Sequence, residues 1–417
     1  MINNIRQSKS LMEWMFSIVI PIECILLQYK IGIFNIGVLL LLAISFFSML
    51  SKKKIVIDKE FGFFIFLLCT QQILSLFIVG GNSINRLYNI FLVVMMFFAC
   101  SIPLNLDCDC NKVYKKCLFV AILITIPIFV QSVLVYGFGE KVNSIMILPQ
   151  AKENLTYWSR FSDRPCGLFT EPQTYSSYMI PFVVLGFKQK KIWTSIILTI
   201  GIILTGSSLG IGMITIVWFI FILRSDLSIG KKSAIIITII LFTTMIFSLD
   251  LFGDAIEKII GVFEGYSTYS SGNMFNSNSY SNYLRLIKGW VTYFELPKIS
   301  QIVGVGISGF RTYAISNGLL FSWSNIWSFS NPNSAYFSSA AGVFIECGLI
   351  IAIIYYRFIA KKIKNGKFES RIIMIMLLLQ GLFSQMFFNG LFAMYIIFYY
   401  MLSEDDSKKL NIVLFRR

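Results

Sequence analysis

The 417-residue chain contains no histidine. A histidine general base, a Ser-His-Asp triad and a histidine-ligated metal are thereby excluded, which leaves Asp, Glu, Lys, Arg, Tyr and Cys as acid and base candidates. Charge is scarce too: charged residues make up 14% against 56% hydrophobic residues, and the mean hydropathy is +0.73. Soluble domains carry about a quarter charged residues, so a water-soluble enzyme is excluded. There is no repeat of fixed period and no inverted duplication of the kind many transporters carry.

What the chain has is apolar length. Runs of roughly 17 to 25 residues recur throughout, enough to cross about 30 Å of hydrocarbon at 1.5 Å per helical residue. Arg6 and Lys9 ahead of an apolar stretch from Leu11 mimic a secretion signal, but Glu13 and Glu23 interrupt it and no small-residue cleavage pattern follows. The stretch reads as an uncleaved first span. Spans are expected at 11–29, 31–50, 61–79, 88–104, 117–136, 172–187, 192–206, 208–223, 233–252, 333–356, 372–388 and 391–403. Because 172–187, 192–206, 208–223 and 391–403 are short, the expected number is ten to twelve. The fold class is thus all-α and polytopic, with five N-terminal helices in 1–136, a long outer loop 137–171 and four helices in 172–252. A second long outer loop, 253–332, three helices in 333–403 and a tail 404–417 complete it.

Lysine and arginine collect on the side facing the cytoplasm. Most of the 36 basic residues lie in the proposed inner segments, such as Lys52, Lys53, Lys54, Lys112, Lys115 and Lys116, and the six between Arg357 and Arg371. This places both termini inside and both long loops outside. The net charge of +15 follows from this bias and from contact with anionic membrane lipids, and is no argument for nucleic acid.

The outer loops carry the candidate chemistry. Arg160, Arg164, Arg285 and Arg311 sit there among Tyr, Trp, Ser, Asn and Gly. Arginine's planar fork contacts phosphate bidentately, and one such charge pair at about 4 Å is worth about 4 kcal/mol of raw attraction before desolvation. Two or three such residues suffice to hold a diphosphate without a metal. Glu171, ahead of Pro172, is either a helix cap or a carboxylate able to orient or deprotonate a sugar hydroxyl. Arg285, Lys288 and Trp290 have helical spacing and suit one exposed face, and Gly304 and Gly306 allow a backbone to approach a ligand. Asn333 lies at the outer end of the tenth span and Glu346 near its mid-depth, where a carboxylate costs about 2.5 to 3.5 kcal/mol to insert. That cost is met by a function, or by protonation or an interhelical hydrogen bond. The Asp107-Cys108-Asp109-Cys110 cluster has the form of a metal-binding Asp-x-Asp, but it occupies a short inner loop with no nucleotide-binding domain.

Several of these pieces, in this order, resemble the bacterial O-antigen polymerases (Wzy) and O-antigen ligases over about residues 160 to 356. They are Arg164-Pro-Cys-Gly167-Leu-Phe-Thr-Glu171-Pro172, Leu204-Thr-Gly-Ser-Ser208, Arg285 followed by Trp290 and Gly304-Val-Gly306, and Asn333 preceding Glu346-Cys-Gly348. The resemblance implies a glycosyltransferase that inverts the anomeric centre and uses neither metal nor other cofactor, working on the outer face of the cytoplasmic membrane. Its substrates would be glycan repeat units on undecaprenyl diphosphate, and a chain-length regulator and a flippase would be its partners. Arg164, Arg285 and Arg311 would clamp the departing diphosphate, Glu171 would serve the acceptor hydroxyl, and Arg160, Lys288, Trp290, Gly304, Gly306, Asn333 and Glu346 would line the substrate site. Ligases carry a histidine at the outer end of the span equivalent to the tenth, where this chain has Asn333 and Ser334, and that departure favours a polymerase. An Arg-x10-Gly pattern of some polymerases is met by none of Arg160, Arg164, Arg285 and Arg311. The rivals are a ligase-like transferase and a flippase or other transporter of lipid-linked oligosaccharide.

Overall fold

The computed structural model describes the chain except for residues 1, 27, 32–33, 53, 81–82, 106–108, 150–157, 227, 249–259, 262, 265–280, 320, 322–336, 404–408 and 414–417. It is mostly helical. The described helices are α1 (Ile2–Leu26), α2 (Ile36–Lys52), α3 (Lys59–Ile78), α4 (Ser83–Cys100), α5 (Ile102–Asn105), α6 (Cys110–Ser132), α7 (Pro172–Lys188) and α8 (Ile192–Leu204). They continue with α9 (Ser208–Arg224), α10 (Ile229–Ser248), α11 (Ser281–Glu295), α12 (Lys298–Val303), α13 (Phe310–Ser316), α14 (Ser339–Asn365), α15 (Phe368–Gly381) and α16 (Gly390–Leu402). A π-helical turn, Val133–Gly137, extends α6.

Each apolar run forms a helix, and among the described residues three of these helices are long and apolar enough to cross a membrane: Lys59–Ile78, Cys110–Gly137 and Ser339–Asn365. Five shorter apolar helices accompany them, at Ile36–Leu50, Arg86–Cys100, Ile192–Leu204, Ser208–Arg224 and Gly390–Leu402. Local sequence sets several of the helix starts. The Asp58 carboxylate accepts the Glu60 and Phe61 amides at 2.9 and 3.0 Å, Asp109 accepts Asn111 at 3.0 Å, and Asn389 accepts Phe392 at 3.0 Å. Asp109 of the Asp-x-Asp cluster is therefore a helix cap, 3.8 Å from Lys112, while Asp107 lies outside the described residues.

Two short antiparallel ribbons add to the helices expected from the sequence. The smaller pairs β1 (Lys30–Ile31) with β2 (Phe34–Asn35). The larger pairs β3 (Lys54–Asp58) with β4 (Lys409–Val413), joining the basic segment after α2 to the C-terminal tail. Ile55, Val56 and Ile57 supply the β-branched side chains that suit a strand.

The chain forms two compact units, interleaved in sequence. One comprises Met1–Met12, Val38–Cys108 and Gly261–Arg417, the other Glu13–Gly37 and Asp109–Ile260. In the first, α14 packs against α3, α11, α12 and α15, and α16 packs against α15, α4 and α5. All of α16 is buried, and it is apolar around its circumference. Stacked rings of Phe61 and Phe64 on Phe358, at centroid separations of 5.5 and 5.7 Å, join α3 to α14. In the second unit α6, α7, α8 and α9 pack on one another through small residues. A Cβ on Gly201 would lie 2.6 Å from Thr125 Cγ2, so the two helices gain contact here by close backbone approach.

Candidate functional site

The described residues of 137–171 belong to the second unit and are held by side chains of Gln131, Gln28 and Tyr29. Gln131 Oε1 accepts the amides of Cys166 and Gly167 at 2.9 and 2.7 Å, and its Nε2 donates to the Asn143 carbonyl at 3.0 Å. Gln28 Oε1 accepts Thr170 N–H at 2.7 Å, and the Tyr29 hydroxyl accepts Ile147 N–H at 2.7 Å. The loop fixes Glu171 at the N-cap of α7, with Pro172 at the first helical position, but the Glu171 carboxylate makes no capping hydrogen bond. Arg164 lies 3.8 Å from Asp163, and the Arg160 guanidinium is 5.3 Å from the Phe161 ring. Cys166 is buried, which pushes its thiol up to about 12 and leaves it an inert packing residue.

The first unit holds Arg285, Lys288, Trp290, Gly304, Gly306, Arg311 and Glu346. Helix α11 docks on α14 through Gly289, where an added Cβ would lie 2.5 Å from Ala341 Cβ, and through Trp290, 5.2 Å from Phe344. The exposed face expected for Arg285, Lys288 and Trp290 is not formed. Arg285 and Trp290 are half-buried, and Lys288 is 4% exposed with its ammonium 5.7 Å from the Phe337 ring. The reason is the small Gly289, which draws this stretch of α11 onto α14. Burial pulls the Lys288 ammonium down from 10.5 to about 8.

A pH dependence follows from Lys288. Between about 8 and 10.5 the unfolded chain holds the proton and the folded chain does not, so stability should rise as pH increases through that window and be flat below it. Thermal unfolding of the detergent-solubilised protein from pH 7 to 10.5 should show the rise. Lys288→Met should remove it; an equal rise in the variant would assign the effect elsewhere.

The most elaborate arrangement surrounds the segment from Val303 to Gly309. Its backbone turns at positive φ at Gly304 (83°), Gly306 (87°) and Ser308 (54°). Helix α14 breaks at Gly348 (φ 75°, ψ 171°), which frees the carbonyls that the next turn would have used. Two of them accept from the segment: Val305 N–H donates to Ile345 at 2.9 Å and Gly306 N–H to Glu346 at 2.7 Å. Side chains of α3 and α4 satisfy most of the rest. Gln71 donates to the Val303 carbonyl, the Ser75 hydroxyl to Gly304 at 2.9 Å, Arg86 to Val305 and Asn89 to Ile307 at 2.6 Å. Gln72 Oε1 accepts Ile307 N–H at 2.9 Å, and Glu346 Oε1 accepts Ser308 N–H at 3.1 Å. Buried backbone polar groups need such partners, and here most of them are side chains from other elements.

Gly304 and Gly306 therefore permit close approach, but to the chain itself. A Cβ on Gly304 would lie 2.5 Å from the backbone of Cys347 and Gly348, and one on Gly306 would fall on the Arg86 guanidinium. At the Ser308–Gly309 end of the segment lies a pocket of about 250 Å³ whose lining includes Arg86, Asn89, Ser308, Gly309, Thr312 and Tyr313. Arg311 shares α13 with Thr312 and Tyr313, but it is exposed and does not line the pocket. Asn333 lies outside the described residues.

The structure thus places Arg160, Arg164 and Glu171 in one unit and the remaining described candidates in the other. It adds Gln71, Gln72, Ser75, Arg86 and Asn89, which the reading of the loops passed over. The signal for them was helical spacing of polar groups within apolar runs, Gln71 with Ser75 and Arg86 with Asn89. No protein-family model matches the chain, and no curated protein matches it.

Proposed function

We propose that this chain is a polymerase of lipid-linked glycan repeat units in the cytoplasmic membrane of a bacterium. It crosses the membrane twelve times with both termini in the cytoplasm, and it transfers the growing chain from undecaprenyl diphosphate to the next repeat unit on the outer face. The observation that carries the proposal is the polar pocket lined by Ser308, Gly309 and α13 residues and by the buried Arg86 of α4. A transferase needs a walled site for a polar head group at the membrane surface, whereas a flippase needs a continuous polar path. In this scheme arginine holds the departing diphosphate by electrostatic stabilisation of the charge that develops on it, with Arg285 and Arg311 as the candidates in the unit that carries the pocket. Glu171 takes the proton of the attacking hydroxyl, a role supported by a carboxylate that is not used in capping its helix.

The test supplies purified protein in liposomes with an undecaprenyl-diphosphate repeat unit and EDTA and looks for a ladder of products. A ladder is expected, and Glu171→Gln should slow it by about 10²- to 10⁴-fold while changing thermal stability little, since no cap is lost. Movement of the lipid-linked glycan across the bilayer without a ladder would make the protein a transporter. A stable Glu171→Gln enzyme of normal rate would remove Glu171 from the chemistry.

A further inference from the structure

Arg86 is only 4% exposed, yet it lines the pocket and its Nη1 has no hydrogen-bond partner. One arm of its guanidinium is used on the Val305 carbonyl. Glu346 is near enough to act on it electrostatically, but the two form no ion pair, and Glu346 Oε1 is already engaged by the Ser308 amide. A guanidinium offers five N–H donors and no acceptor, so only an acceptor completes it, and in a buried site a charged acceptor repays most of the desolvation. Among the described residues lining the pocket there is one cation, Arg86, and no carboxylate. The remaining lining is mostly neutral and polar: Ser308, Thr312 and Tyr313 carry hydroxyls, Asn89 and Asn317 each keep one amide N–H after donating to the Ile307 and Tyr313 carbonyls, and Ser316 donates to the Thr312 carbonyl. One buried cation beside hydroxyl and amide groups, with no carboxylate in the lining, has the chemistry of a phosphate-ester site.

We propose that this pocket binds a phosphate ester of a membrane lipid, with Arg86 as its charged ligand and the Ser308–Tyr313 segment supplying neutral contacts. The ester belongs either to a polyprenyl diphosphate or to an ordinary anionic headgroup. The first source rests on the polymerase reading; the site itself does not. Arg285 and Arg311 do not line it, and the segment that leads into it is braced by Gln71, Gln72 and Asn89 before any ligand arrives.

The test measures retention of undecaprenyl diphosphate and of phosphatidylglycerol by the full-length protein in phosphatidylcholine nanodiscs. The variants are Arg86→Gln, the neutral pair Arg86→Gln with Glu346→Gln, and Thr312→Trp, which fills the pocket from an exposed position. All three should weaken binding of undecaprenyl diphosphate at least tenfold and leave phosphatidylglycerol unchanged if the ester is a polyprenyl diphosphate. An equal loss for phosphatidylglycerol identifies a headgroup site. Unchanged retention of both lipids overturns the proposal. So does a loss confined to Arg86→Gln, because a pocket ligand must also feel Thr312→Trp. If no glycan ladder forms but Arg86-dependent lipid binding persists, the polymerase reading fails and this site stands; a ladder with lipid binding indifferent to all three variants has the opposite meaning.

Discussion

Gly348→Ala should prevent recovery of a folded, monodisperse protein, and Gly304→Ala should do nearly the same. Gly348 (φ 75°, ψ 171°) and Gly304 (φ 83°, ψ 154°) occupy a backbone region that is essentially restricted to glycine, which costs other residues about 1 to 3 kcal/mol. Each also faces the other's backbone. A Cβ on Gly304 meets Cys347 C and Gly348 N at 2.5 Å, and one on Gly348 meets Gly304 N and Val303 C at 2.6 Å. These neighbours are main-chain atoms, so the clash can be relieved only by moving the segment, at about another 1 to 3 kcal/mol. Together the terms take a large share of a typical stability of about 5 to 15 kcal/mol. Gly212→Ala is the control, since a Cβ there meets nothing within 4 Å and alanine is the better helix former. Fluorescence-detected size exclusion of the three variants reads the result. A well-behaved Gly348→Ala protein would mean that α14 does not break where the loop enters.

The second large effect is expected at Lys362. Its ammonium lies 2.5 Å from Asp58 and 3.6 Å from Glu60, with its side chain 5% exposed, and the rings of Phe358, Tyr399 and Tyr400 stand 5.4 to 5.9 Å away. Removing one partner of such a pair strands the other in a poorly hydrated place, at about 3 to 5 kcal/mol. Lys362→Met should therefore lower the thermal midpoint strongly. Adding Asp58→Asn should recover much of the loss, because asparagine keeps an oxygen for the Glu60 and Phe61 amides and brings no charge. Lys361→Met is the contrast: its 2.7 Å contact with Glu60 involves a side chain 46% exposed, and such pairs contribute about 0 to 1 kcal/mol. Equal midpoints for the Lys361 and Lys362 variants would deny the burial argument.

The helices were legible because length and apolarity are local properties. Each of the twelve expected runs coincides with a helix, although among the described residues three are long and apolar enough to span by themselves. The β3–β4 ribbon was not legible, because Ile55-Val56-Ile57 finds its partner only at the far end of the chain. The candidate site was read in part. Glu346 and the Gly304/Gly306 pair stood out by their rarity, and the structure sets all three around one segment. Arg86 did not stand out, since one arginine at the start of an apolar helix has the look of a headgroup contact until the loop that covers it is folded. Lys288 was misjudged for a related reason: neighbouring Gly289 signals close packing only once α14 is known to lie against it.

The β3–β4 ribbon bears on the count of membrane crossings. Antiparallel strands in register, with Lys54 opposite Val413 and Asp58 opposite Lys409, share one aqueous compartment. A chain that leaves a compartment at Asp58 and re-enters it at Lys409 crosses any intervening bilayer an even number of times. Ten crossings satisfy that parity, as do eight; nine do not. In the proposed twelve-span topology the short helices α7, α8, α9 and α16 therefore stop being crossings only in pairs, so that if one turns back within the membrane, another must turn back with it.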